Sequence, residues 1–165
     1  SDTTLNASVL NSLNDHTSGT IDATSVSGLT GTADDLVTTY AASDSGEITG
    51  LGDETINVNS GTATTTQANT LAEATDGVVT ATLSEGDMAT LDGLSETGNA
   101  YTITITDASV DAAALNSLDG KTTIAIDASA ITTFSSIGVL TISTCASASS
   151  IRAATTAIII TSSTT

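Results

Sequence analysis

The amino-acid sequence predicts an α/β fold: a right-handed β-α solenoid, with parallel strands on one wall and short helices on the other. Three observations carry this prediction. First, the wording repeats. Ala112-Ala113-Ala114-Leu115-Asn116-Ser117-Leu118-Asp119-Gly120, then Thr122-Thr123-Ile124-Ala125-Ile126-Asp127, echoes Ala7-Ser8-Val9-Leu10-Asn11-Ser12-Leu13-Asn14-Asp15, then Gly19-Thr20-Ile21-Asp22. A degraded copy runs from Ala68 to Gly77 and on through Val78 to Leu83. Internal repetition of this kind marks stacked architectures, because one short unit cannot bury its own apolar face. Second, strand-like runs alternate with short helical stripes. Third, the core vocabulary is narrow. Hydrophobic residues make up 39% of the chain and aromatic residues only 2%, there is no Pro, and roughly one residue in five is Thr. Small branched side chains suit stacked rungs, and β-branched Thr favours strands. The apolar content is too high and too periodic for disorder.

The elements follow in order. Val9, Leu10 and Leu13 form the first helical stripe. Thr20 to Asp22 read as a strand. Thr32 is placed to cap a further helix, with Asp34 and Asp35 in its first turn and Leu36, Val37 and Tyr40 facing inward. This helix makes the interval from Ile21 to the next strand, Ile56 to Val58, look longer than the rest. Strands are then expected at Val79 to Leu83, Tyr101 to Thr106, Thr123 to Ile126, Val139 to Ile142 and Ala157 to Ile160. Asp22, Ser84, Asp107, Asp127 and Ser143 stand where a helix could start. Met88, Leu91 and Leu94 mark a short helix. Val110, Ala114 and Leu118, widened by Leu115, form the stripe of another, and Gly120 stops it.

Stacking such units places the strands side by side in a parallel sheet, with the crossover expected to be right-handed. An all-β solenoid is the alternative, and it would turn the Ala-Leu-Asn-Ser-Leu segments into strands. Their spacing and alanine content disfavour that. Residues 1–134 form the repeat solenoid region. Residues 135–165 read as divergent, Ser/Thr-rich terminal coils that continue it. The pattern runs to both ends, as in a segment of a longer protein.

Charge excludes several function classes. Nineteen acidic residues face two basic ones, Lys121 and Arg152, for a net charge of -17. Nucleic acid needs a basic face, so no nucleic-acid partner is expected. Anionic membrane surfaces are disfavoured for the same reason. The longest apolar run, Ala157 to Ile160, is too short to span a bilayer, so no membrane insertion is expected. The single Cys145 excludes an intrachain disulfide and any Cys-x-x-Cys zinc site. Ser1-Asp2-Thr3-Thr4 does not read as a signal peptide.

Tyr101-Thr-Ile-Thr-Ile-Thr-Asp-Ala-Ser-Val110, Ala114-Leu-Asn-Ser-Leu-Asp-Gly-Lys-Thr-Thr123 and Gly28-Leu-Thr-Gly-Thr-Ala-Asp-Asp-Leu36 carry a resemblance. They resemble a repeat family of very large bacterial surface proteins, common in marine bacteria including marine cyanobacteria. The resemblance covers roughly Asp2 to Phe134. It implies an extracellular or cell-surface structural protein forming a fibre, surface layer or stalk. It also implies self-association into a repetitive assembly, in which salt or Ca²⁺ would relieve like-charge repulsion. An adhesin segment binding cell-surface glycans is one alternative, though Tyr40, Tyr101 and Phe134 are the only aromatic platforms available. A secreted hydrolase domain is the other. The expectation is that the chain is not an enzyme.

Such proteins often carry calcium-binding nonapeptide repeats elsewhere, but no Gly-Gly-x-Gly-x-Asp occurs here. The candidate sites are therefore few. Asp53 and Glu54, after Gly50-Leu51-Gly52, are the calcium candidates, since Ca²⁺ takes several hard oxygen ligands from loops. Without calcium no cofactor is expected. Asp34 and Asp35 read as first-turn helix residues. His16, the only histidine, follows Asn14-Asp15 in a surface turn. No Gly-x-Ser-x-Gly elbow accompanies it. Cys145 reads as a small packing residue. The Thr-x-Thr runs at Thr102 to Thr106 and Thr80 to Thr82 put threonines on one strand face. An ice-binding ladder would need them in every coil, and Asp22, Asn57 and Ala125 interrupt it.

Overall fold

The computed structural model describes residues 3–135. The first turn is β1 (Thr4–Asn6), α1 (Ala7–Asp15) and β2 (Ile21–Asp22). The second is β3 (Gly28–Gly31), α2 (Ala33–Asp44) and β4 (Ile48–Thr49). Then come β5 (Thr55–Val58), α3 (Thr65–Ala74), β6 (Val79–Thr82), α4 (Met88–Leu91), β7 (Ala100–Thr102), β8 (Ser109–Val110), α5 (Ala112–Asp119) and β9 (Thr133–Phe134). This is the expected α/β class. The Ala-Leu-Asn-Ser-Leu segment is helix α5 and its earlier echo is α1, so the all-β alternative is ruled out.

Each turn pairs with the next. The main sheet has the order β1-β3-β5-β6-β7, and every neighbouring pair is parallel. β2–β4 and β8–β9 form two smaller parallel pairs. Parallel bridges at Asn99–Thr122 and Thr104–Asp127 carry the pairing beyond β7. The register gives the turn length directly. Thr4 sits beside Gly28, Gly28 beside Thr55, Ile56 beside Val79, and Thr80 beside Ala100. Those offsets are 24, 27, 23 and 20 residues. The long interval read between Ile21 and Ile56 therefore dissolves. Ile21 belongs to the second strand of its turn, and α2 is the ordinary helix of the second turn. Gly28-Leu29-Thr30-Gly31 is a strand that two glycines disguise as a turn.

Alternation along the strands builds the core. Leu5, Leu29, Ile56 and Val79 line up as one inward row, and Ala81 lies beside Tyr101 in another. Leu29, Ile56 and Val79 are all buried. The helices close the other side: α1 packs on α2, α2 on α3 and α4 on α5. Their inward faces are Ala7 and Leu10, Ala33, Leu36 and Tyr40, Ala68 and Leu71, Leu91, and Ala112, Leu115 and Leu118. Each fully buried Leu or Ile contributes about 1.5–3 kcal/mol over an exposed one.

The helices start on side-chain caps. Asn6, Thr32, Thr64, Asp87 and Asp111 each accept a backbone N–H from the first turn. Thr32 behaves as expected, with Asp34 and Asp35 following it. Thr64 and Gln67 form a reciprocal capping box. Asp22, Ser84, Asp107 and Asp127 do not cap the helices they were expected to open. Asp22 and Asp127 instead close tight turns by accepting from the N–H two residues on, at Thr24 and Ser129. The segment Thr123 to Ile126 is not a strand, although bridges flank it at Thr122 and Asp127. Val110 is a buried strand residue rather than part of the α5 stripe. Val9 and Leu13 also depart from expectation: they are 60% and 51% exposed. From residue 136 on, the terminal coils, the strands at Val139 to Ile142 and Ala157 to Ile160, Ser143 and Cys145 lie outside the described residues.

Candidate functional site

The strand register separates the two calcium candidates. Glu54, Ile56 and Val58 share one parity and are buried, whereas Asp53, Thr55 and Asn57 share the other and are exposed. The Glu54 carboxylate is wholly enclosed. The Tyr40 hydroxyl donates to its Oε1, and the Gly52 N–H donates to its Oε2 at 2.8 Å. Its oxygens are thus committed inside the protein, while Asp53 faces solvent. Among the described residues no three His, Cys, Asp or Glu side chains come together as a metal-holding group. Tyr40 is the partner that sequence reading missed. Its signal was a buried phenol, which needs a hydrogen-bond acceptor.

The backbone at Glu54 is locked as tightly as its side chain. Thr75 Oγ1 donates to the Glu54 carbonyl at 2.7 Å, and the Gly77 N–H donates to Thr75 Oγ1. Gly77 lies so close that a Cβ there would collide with the same carbonyl oxygen. Glycine is required at this point by the approach of two backbones.

Acidic residues also tie neighbouring turns together. Glu85 Oε2 accepts from the N–H of Thr65, the first residue of α3. Asp107 Oδ2 accepts from the N–H of Met88, the first residue of α4. In both cases a carboxylate from one turn caps the helix of the turn before, where the helix dipole favours negative charge. Gln67 donates from α3 to Asp34 on α2, and Lys121 Nζ donates to the Ser95 carbonyl at 2.8 Å. Asp22, Asp87 and Asp127 are held below the usual carboxylate range, chiefly by hydrogen bonds from the side chains of Thr24, Thr90 and Ser129.

His16 is exposed at the end of α1, and its Nδ1–H donates to the Ser12 carbonyl at 2.7 Å. An open groove of about 400 Å³ lies where α3 runs into β6, lined by Glu73, Thr75, Asp76, Glu96 and Asn99 among others. It is polar and shallow, and it holds no enclosed apolar wall of the kind small-molecule sites use. Nearby, burial and the Glu96 charge push the Tyr101 phenol up to about 12. Tyr101 is a core residue whose hydroxyl donates to the Ala68 carbonyl.

The outer face of the five-stranded main sheet is a regular surface. Across it run the rows Thr4–Gly28–Thr55, Asn6–Thr30–Asn57–Thr80–Ala100, and Thr82–Thr102. None of these side chains is charged, in a chain of net charge -17. Asn6 and Asn57 interrupt the threonines in the longest row, as the sequence led one to expect at Asn57. No family model, curated protein or solved structure matches this chain.

Proposed function

We propose that this chain is a structural module of an extracellular or cell-surface repeat protein, working as a solenoid segment of a fibre, layer or stalk. The turn-by-turn parallel register from β1 to β7 carries the reading. An architecture in which each turn contacts its neighbours extends length without building a central pocket. The interior supports it as well. Of the polar residues buried there, Glu54, Thr75 and Asn99 hold strands and turns to one another. The acidic surface keeps such a module soluble and sets copies apart except where charge is absent.

The glycan-binding alternative gains nothing from the aromatic residues. Tyr40 and Tyr101 are buried, and Phe134 is half-buried against the core. Immunogold electron microscopy of the source cells, with antibodies raised to this chain, tests the function. Labelling along an external fibre, stalk or layer is the expected result. Label confined to the cell interior would overturn it.

A further inference from the structure

Helix α3 ends differently from the other helices. In α1, α2, α4 and α5 the C-cap N–H donates back to a carbonyl of the last turn. The C-cap of α3, Thr75, is extended and makes no such bond. The next two N–H groups are committed elsewhere: Asp76 donates to the Gly52 carbonyl and Gly77 to Thr75 Oγ1. The carbonyls of Ala72, Glu73 and Ala74 are therefore left without a donor among the described residues. The last turn also carries no basic residue, although a helix C-terminus favours positive charge.

This helix end opens on the groove of about 400 Å³, which Ala72 and Glu73 line together with Asp76, Glu96 and Asn99. That volume falls within the range of small-molecule sites. No basic residue lines it, and the carboxylates of Glu73, Asp76 and Glu96 accept no hydrogen bond from the described residues. Nor do they converge on one point, since they form no metal-holding group. Asn99 supplies the opposite chemistry. It is 5% exposed, and its Oδ1 accepts from the Val79 N–H at 2.8 Å. That bond fixes the carboxamide, so Nδ2 is the end with hydrogens to give. Nδ2 has no acceptor in the protein, yet it is not sealed in. Among the described residues only Thr65 Oγ1 is both enclosed and without a partner. Nδ2 is thus reached from the groove that Asn99 lines.

A ligand for this groove needs donors for carboxylates and carbonyls, positive charge, and an acceptor for Nδ2. A bare metal ion has neither the spread nor the acceptor. A diamine has the charge and no acceptor, and a neutral sugar has the polar groups and no charge. A protonated amino sugar has all of them, and its ammonium makes charge-assisted hydrogen bonds to carboxylates. We propose that the groove at the end of α3 binds an amino sugar with a free ammonium. The ammonium faces Glu73, Asp76 and Glu96, and a hydroxyl accepts from Asn99 Nδ2. Such contacts are ionic and hydrogen-bonded, and they need no aromatic platform. The site goes beyond the structural role and does not depend on it.

The test is a nuclear magnetic resonance titration of the isotope-labelled full chain with glucosamine. Slightly acidic pH keeps the amine protonated and the carboxylates ionised, and physiological salt screens the net charge of -17. Saturable shifts are expected at the amides of residues 73–77 and 96–99 and at the Asn99 side-chain amide. N-Acetylglucosamine, which lacks the charge, and putrescine, which lacks the hydroxyls, should each bind at least about fivefold more weakly. E73Q/E96Q should weaken glucosamine by about fivefold, with an unchanged circular dichroism spectrum verifying the fold. D15N/D44N removes the same charge from the exposed ends of α1 and α2, and should leave the affinity within about twofold. A glucosamine trimer that binds more tightly than the monomer names a deacetylated polysaccharide as the source, and an equal one names the free sugar; both support the site. Shifts that never saturate, or that spread over the whole acidic surface, overturn it. So does putrescine binding as tightly as glucosamine, or D15N/D44N weakening it as much as E73Q/E96Q. An empty groove would leave the structural role standing, and immunogold label inside the cell would leave the groove standing.

Discussion

Replacing Tyr40 with Phe removes one oxygen from the interior. In the folded chain that hydroxyl donates to Glu54 Oε1, and neither partner is reached by solvent: Tyr40 is 4% and Glu54 0% exposed. With the hydroxyl gone, the carboxylate keeps only the Gly52 N–H. A hydrogen bond to a charged group contributes about 1.5–3 kcal/mol, and an orphaned buried acceptor costs about 1–3 kcal/mol. Y40F should therefore lower stability by about 2 kcal/mol. At about 4 °C per kcal/mol for a chain of this size, Tm falls by about 8 °C. Urea denaturation followed by circular dichroism measures it, with an unchanged m-value showing that the midpoint shift reports stability. A double-mutant cycle adding Glu54→Leu isolates the pair, since Leu removes the acceptor that Y40F orphans. The double variant should cost at least about 0.5 kcal/mol less than the two single changes together. A Y40F variant within about 0.5 kcal/mol of the parent, with no coupling in the cycle, would refute the reasoning. It would mean that Glu54 finds water, and that the inward parity of Glu54, Ile56 and Val58 is wrong.

Further predictions follow from the same contacts. Asp107→Ala and Glu85→Ala each remove a cap from the preceding turn and should cost about 1 kcal/mol in urea melts, while Asp107→Asn, which keeps an acceptor, should recover most of the loss. Gly77→Ala forces apart two backbones and should cost about 1–3 kcal/mol, whereas Gly19→Ala, on an open surface turn, should fall within about 0.5 kcal/mol of the parent. In Y40F the remaining phenol, Tyr101, should ionise near 12 rather than 10 in an ultraviolet titration of the folded chain. Because its folded value is raised, the stability it contributes is complete below pH 10 and is lost as pH rises toward 12. An ordinary titration near 10 with the fold intact would show that Tyr101 is not enclosed. Melting temperature should be the same in EDTA and in millimolar Ca²⁺, since the enclosed Glu54 carboxylate has its oxygens committed to Tyr40 and Gly52; a clear rise with Ca²⁺ would return Asp53 and Glu54 to the role of ligands.

The helices were legible because their information is local. Thr32 with Asp34 and Asp35, and Leu115 with Leu118 before Gly120, name a start, a face and a stop within one segment. Strand β3 was not legible, because its two glycines say turn and only the flanking strands β1 and β5 make it a strand. The caps from Glu85 and Asp107 were hidden for a related reason: each serves a helix about twenty residues earlier, and nothing in its own segment points there. Val9 and Leu13 obey the same local stripe rule as Leu115 and Leu118. Yet they are 60% and 51% exposed, because among the described residues no helix packs on that side of α1, and no window of sequence encodes which neighbours a stripe will meet. Glu54 was readable in principle. The alternation Glu54-Ile56-Val58 places it inward, and the lure of an adjacent carboxylate obscured that parity.

The account stands on each turn contacting the next in parallel register. Nuclear Overhauser effects between backbone protons of the isotope-labelled chain test this most directly. They should link Asn6 to Thr30, Thr30 to Asn57, Asn57 to Thr80 and Thr80 to Ala100, in that order. Cross-peaks joining β1 directly to β6 or β7, or an antiparallel pattern between any of these strands, would contradict it.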